Sequence, residues 1–148
     1  MTDPLRPGDI VEIATPAGLG YVQVTHLHPA CGAVVRGLPG LHPARPADLA
    51  ALARAPAAFV ALCQLAAQAG AGCARVGAAP LAAGAGAFPT FRLPIRDRQG
   101  APIYWWFWDG EGLSLVPPPG IDPEALPLRE ITPLAALRAR LAGGQPSA

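Results

Sequence analysis

The chain has 148 residues, a formal charge of +1, and 51% hydrophobic residues, a share that alanine inflates. That length suits one domain able to bury a core without staples, and so small a charge excludes a strong field steering nucleic acid or an anionic membrane. Three cysteines, Cys31, Cys63 and Cys73, show no framework spacing; the odd number argues against a secreted disulfide scaffold and for reduced, buried thiols.

The turn signal Gly8-Asp9 precedes Ile10–Ala14, where β-branched residues and a period of two predict a strand. The turn "TPAGLG" leads into a second strand, Tyr21–Thr25, and Ala33–Gly37 supplies a third, so an antiparallel meander is expected. "RPADLAALARAP" predicts a short helix, with Pro46 in its first turn, Asp48 complementing the N-terminal dipole and Pro56 ending it. The alanines of "AAFVALCQLAAQAG" favour a helix, yet the apolar run Phe59–Leu65 after Pro56 reads better as a buried strand with a helical turn at Leu65–Ala69. Short extended segments follow at Ala74–Gly77 and Phe91–Ile95.

All three tryptophans lie in "YWWFWDGEG". Ile103–Trp108 predicts a strand, Asp109-Gly110 with Gly112 a hairpin turn, and Leu113–Val116 a return strand ended by Pro117, Pro118 and Pro119. Strand alternation sends Tyr104, Trp106 and Trp108 to one face and Trp105 and Phe107 to the other. One face fills the core. The other meets the C-terminal helix, a second subunit in a homodimer, or a partner. That helix is expected from Thr132 as cap and Pro133 at the first position, with Leu134, Leu137 and Leu141 on one stripe, Arg138 and Arg140 elsewhere, and Gly143-Gly144 as stop. The expected fold is α+β: mainly antiparallel β-sheet or a small barrel, with a short central helix and a C-terminal helix. Residues 1–142 form a single globular domain and 143–148 a flexible tail. The start "MTDPLRPGD" lacks the pattern of a signal peptide, and the run Ala47–Ala74 is broken by Arg54, Pro56, Gln64 and Gln68. No membrane association and a cytoplasmic location are therefore expected.

Candidate chemistry is sparse. His26, His28 and Cys31 offer zinc-type ligands within six residues, but His42, Asp48, Cys63 and Cys73 are distant candidates for a fourth, so surface histidines near a turn are the better reading and no metal is assigned. Neither Cys63 nor Cys73 sits in a motif that lowers a thiol pKa, and no Gly-x-Ser-x-Gly elbow exists. The glycine-rich "GLPGLHPAR" and "GAGAFPTFR" match no phosphate-binding fingerprint. Arg92, Arg96 and Arg98 beside the aromatic run suit single-stranded nucleic acid, but Asp97, Asp109 and Glu111 interrupt the patch. Asp109 and Glu111, two residues apart, suit turn formation better than acid–base work.

In order and spacing, "RPGDIVEIATPAGLGYVQVTHLHP", "FVALCQLAAQAGAGCARVGAAPL", "FPTFR" and "YWWFWDGE" resemble the Imm26-type bacterial immunity proteins over most of Arg6–Leu115. The resemblance implies a small, cytoplasmic, non-enzymatic protein that neutralises a cognate toxin by binding it, with no catalytic residues and no cofactor. The toxin's identity differs between members and is not implied. Trp105, Phe107, Arg96, Arg98, Asp109 and Glu111 are the expected partner-binding residues. Alternatives from other classes are a small β-barrel module that binds nucleic acid and a phage or mobile-element protein of structural role.

Overall fold

The computed structural model describes residues 4–29, 32–65, 72–82 and 86–143. Contacts divide the chain into two compact units, Met1–Gly86 with Ile131–Ala148, and Ala87–Glu130. The fold is α+β and dominated by antiparallel strands.

In the first unit, strands β1 (Asp9–Thr15), β2 (Gly18–His28), β3 (Gly32–Gly37), β4 (Phe59–Cys63) and β5 (Cys73–Ala78) form one sheet in the order β4-β3-β2-β1-β5. Every ladder is antiparallel, and the expected meander is β1-β2-β3. Branched residues alternate between two cores because both faces of the sheet are covered. Val11, Ile13, Val22, Val24 and Val35 join Leu134, Leu137 and Leu141 of helix α2 (Leu134–Leu141). Ile10 and Tyr21 join Leu38, Ala53 and Ala79, with helix α1 (Leu49–Ala53) packed on them. Cys63 and Cys73 lie in strands at opposite ends of the sheet order yet share the α2-side core, so the sheet curls around that core. Among the described residues β4 and β5 form no ladder with each other, so no closed barrel exists.

Two glycines make this packing possible. A Cβ on Gly20 would lie 2.9 Å from Cδ1 of Leu141, and one on Gly37 would lie 2.3 Å from the Phe59 ring. Arg36, buried in β3, donates to Oε1 of Gln23 (3.0 Å), to the Ala53 carbonyl (2.7 Å) and to the Ala55 carbonyl. Its fork thereby ties the sheet to the carbonyls at the end of α1, and burial pulls its pKa down.

Several local expectations are corrected. The central helix starts only at Leu49, with Asp48 as cap accepting from the Ala51 N–H (3.0 Å). Thr132 does not cap α2: Pro133 holds the cap position without a side-chain bond, and the Thr132 N–H donates to the Leu62 carbonyl (2.8 Å), drawing the chain alongside β4 before the helix begins. The expected turn at Leu65–Ala69 falls mostly, and the 143–148 tail almost wholly, outside the described residues.

The second unit holds β6 (Phe91–Arg96), β7 (Pro102–Trp108) and β8 (Leu113–Ser114), with β7 in the middle. The outer edge of β6 is met by the segment after a single 3-10 turn at Pro123–Ala125: the Arg92 N–H donates to the Pro127 carbonyl and the Arg129 N–H to the Arg92 carbonyl, both at 2.8 Å.

Candidate partner-binding surface

The geometry of β7 follows from backbone parity. Arg92 turns its N–H and C=O away from β7, so Phe91, Leu93 and Ile95 face it, opposite Trp108, Trp106 and Tyr104. Pro94, opposite Trp105, sits where no donor to β7 is needed, which is where a strand accepts proline. The return strand is shorter than the sequence suggests. Ser114 exchanges hydrogen bonds with Val116, its Oγ donating to the carbonyl and accepting from the N–H, and the chain bends at Leu115–Val116 instead of continuing the ladder.

Burial along β7 is graded rather than alternating: Pro102–Tyr104 are exposed, Trp105 and Trp106 half-buried, Phe107 and Trp108 buried. Near the turn, Phe88, Phe91 and Trp108 form an aromatic cluster, with Phe88 edge-on to Trp108 at 5.4 Å. The Arg129 guanidinium stacks over Trp108 at 4.5 Å and that of Arg92 over Trp105 at 4.6 Å, while Arg92 Nε donates to the Leu126 carbonyl. Phe107, the middle residue of three paired strands, lies between Arg92 and Ser114 and is buried, so it offers a partner no surface.

The two turns carry the charges. Asp97 Oδ1 accepts from the N–H groups of Gln99 and Ala101, and Arg96 donates to the Gly100 carbonyl (2.8 Å). Asp109 Oδ1 accepts from the N–H groups of Gly112 and Glu111, both at 2.9 Å, and these bonds hold its carboxyl below the usual range. Arg96, Arg98, Asp109 and Glu111 are all exposed. Around them lie large exposed apolar residues: Ile103, Tyr104, Leu113, Leu115 and Val116. The sequence reading placed Trp105, Asp109 and Glu111 in the β7–β8 hairpin and named Arg96 and Arg98 beside it; the pairing of β6 with β7 brings these two arginines onto the same sheet. It did not single out Ile103, Tyr104, Leu115 and Val116, whose exposure follows from where β8 stops.

The other candidates lie in the first unit. His26 Nδ1 pairs with Thr25 Oγ1 (2.9 Å) and Nε2 with the Gly86 carbonyl (3.0 Å); Cys31 lies outside the described residues. Among the described residues no group of three or more His, Cys, Asp and Glu converges on a metal-sized site. Burial, with Cys73 nearby, pushes the Cys63 thiol up to about 11, and burial raises Cys73 as well, which is the reverse of what a thiolate nucleophile needs. A cluster the sequence did not flag joins Tyr21 Oη to Glu12 Oε2 (2.8 Å) and Arg45 Nε to the same oxygen (2.9 Å). The hydrogen bond and charge of Arg45 lower Glu12, whereas burial and the bond to Glu12 push Tyr21 up to about 12. This cluster links β1, β2 and the segment before α1.

The fold and surface thus define an α+β chain with an aromatic, arginine-bearing hairpin. No family model, no curated protein and no solved structure matches the chain. Among the described residues no helix is long and apolar enough to cross a membrane.

Proposed function

We propose that the chain is a non-enzymatic cytoplasmic protein that binds and neutralises a cognate bacterial toxin. The observation that carries this reading is the set of large apolar side chains exposed on the β6–β7–β8 unit: Ile103 and Tyr104 toward the turn that carries Arg96 and Arg98, Leu113 beside the turn that carries Glu111, and Leu115 and Val116 at the bend after β8. Large apolar side chains exposed on a small sheet whose turns carry charges of both signs suit protein docking. The order of motifs that resembles immunity proteins supplies the class of partner. Trp105, half-buried under Arg92, is the preorganised aromatic anchor; Phe107 acts only from inside the hairpin. A nucleic-acid platform is disfavoured, because Arg92 and Arg129 already occupy faces of Trp105 and Trp108 on which bases would stack.

The test is co-expression with the toxin domain encoded next to this chain's gene. The wild-type chain should protect the cell. Tyr104→Asp and Arg98→Glu, both at exposed positions, should abolish protection while the purified variants keep the wild-type unfolding midpoint. A neighbourhood with no toxin gene, or protection indifferent to both variants, refutes the reading.

A further inference from the structure

A groove of about 410 Å3 lies in the first unit, between α1 and the segment after β5, lined by Ala50, Arg54, Pro80, Leu81 and Ala82. That volume falls within the roughly 300–1,000 Å3 of small-molecule sites, which combine apolar walls with a few fixed polar groups. Here four lining residues are apolar and one is a cation. Buried bonds tie the two walls together. Arg36 donates to the carbonyls of Ala53 and Ala55, which flank Arg54 in the chain, and to Gln23 Oε1. Gln23 Nε2 in turn donates to the carbonyl of Ala79, the residue before Pro80, at 2.9 Å. Ala53 and Ala79 sit in one buried cluster. The linkage from Ala79 through Gln23 and Arg36 to α1 therefore fixes the spacing of the walls.

The same linkage carries charge without a counter-ion. Every acceptor that Arg36 meets is neutral, and among the described residues no carboxylate bonds to Arg36 or to Arg54. Arg36 is buried, so water screens its field less than that of a surface cation. The carbonyls at the end of α1, which would repel an anion, are already engaged. The Arg54 N–H donates to those of Ala50 and Ala51, the Ala55 N–H to that of Leu52, and Arg36 to those of Ala53 and Ala55. Asp48 lies at the opposite end of the helix, with its carboxylate on the Ala51 N–H.

We propose that this groove binds a small organic monocarboxylate, its carboxylate on the Arg54 guanidinium and its hydrocarbon body against Ala50, Pro80, Leu81 and Ala82. A planar guanidinium grips a carboxylate through two parallel charge-assisted bonds. The hydrocarbon body covers apolar surface that Ala50, Leu81 and Ala82 leave half-buried. Inorganic phosphate fits less well. The groove turns the carbonyl end of α1 toward its ligand rather than a row of N–H donors, and its apolar walls leave the remaining phosphate oxygens without partners.

Titration of cyclohexanecarboxylate into the isotope-labelled full chain at low salt, followed by NMR, tests this. The expected result is a saturable shift confined to the amides of residues 49–54 and 81–82 and to the Arg54 Nε–H, with a millimolar dissociation constant. The neutral cyclohexanecarboxamide, which forfeits the charge-assisted pair, should bind at least about tenfold more weakly. Arg54→Met keeps the stem at an exposed position, so it should weaken carboxylate binding by at least about tenfold with the unfolding midpoint unchanged. Arg54→Lys keeps the charge without the fork and should fall between wild type and Met; it also serves should Arg54→Met fail to fold. Four results overturn the proposal: no saturable shift, equal affinity for the amide, equal affinity for inorganic phosphate, or binding indifferent to the Arg54 variants. No toxin is present and the hairpin surface takes no part, so a negative result leaves the toxin-binding reading standing.

Discussion

Arg36 offers the sharpest test of how the first unit holds together. It is a buried cation that among the described residues meets no carboxylate; its bonds go to Gln23 Oε1 and to the carbonyls of Ala53 and Ala55. Arg36→Met keeps the apolar stem and orphans all three acceptors. An orphaned buried acceptor costs ~1–3 kcal/mol, and relief from burying a guanidinium returns part of the sum, so the net loss should be about 2–4 kcal/mol. Arg36→Lys keeps the charge but cannot span the three acceptors, and should fall between wild type and Met. The assay is urea unfolding followed by far-UV circular dichroism, with tryptophan fluorescence read in parallel because all three tryptophans lie in Ala87–Glu130. A loss below about 0.5 kcal/mol for Arg36→Met, or full rescue by Lys, refutes the claim that the fork itself joins β3 to α1.

Two further outcomes are expected. Gly110 and Gly100 both have positive φ, +94° and +87°, but a Cβ on Gly110 would lie 2.8 Å from the Phe88 ring while one on Gly100 meets nothing within 4 Å. Gly100→Ala should therefore cost only backbone strain, about 1–2 kcal/mol, and Gly110→Ala more, read from the fluorescence midpoint; equal losses would deny the Phe88 contact. Tyr21 is pushed from an ordinary 10.0 to about 12, so the folded state holds its proton more tightly than the unfolded state. That contribution is fully present below pH 10 and is lost as pH rises toward about 12; Tyr21→Phe should flatten this part of the stability-against-pH curve, and an unchanged slope would refute it.

The sheet of the first unit was legible because β-branched alternation is a local signal, and the meander follows from short turns. The stripe Leu134, Leu137 and Leu141 was legible for the same reason. What stayed hidden is non-local. Alternation says that Arg36 and Gln23 share a face, but not that α1 closes over it and turns a nominally outward arginine into a buried clamp. Thr132 looks like a cap because its side chain suits one; the Leu62 carbonyl claims its backbone first. In the second unit, the Asp109-Gly110 turn could be read from Asp-Gly chemistry, whereas the turn at Asp97–Gly100, which has no Asp-Gly pair, was not read. Phe107 could not be placed, because burial along β7 depends on neighbouring strands rather than on residue type.

The aromatic run is continuous because β7 does two jobs at its two ends. Near the turn, Trp108 and Phe107 supply bulk that the surrounding sequence lacks: Phe88 and Phe91 pack on Trp108, and Arg129 covers its ring. At the other end the same strand carries large side chains with nothing above them in the ladder. Leu-Ser-Leu-Val looks able to pair all the way back, yet the Ser114 hydroxyl diverts the backbone at Val116 and stops β8 after two residues. One hydroxyl thus separates a core strand from an open one. Replacing Ser114 with valine would remove the diversion and favour a longer β8 that covers the backbone of Trp105.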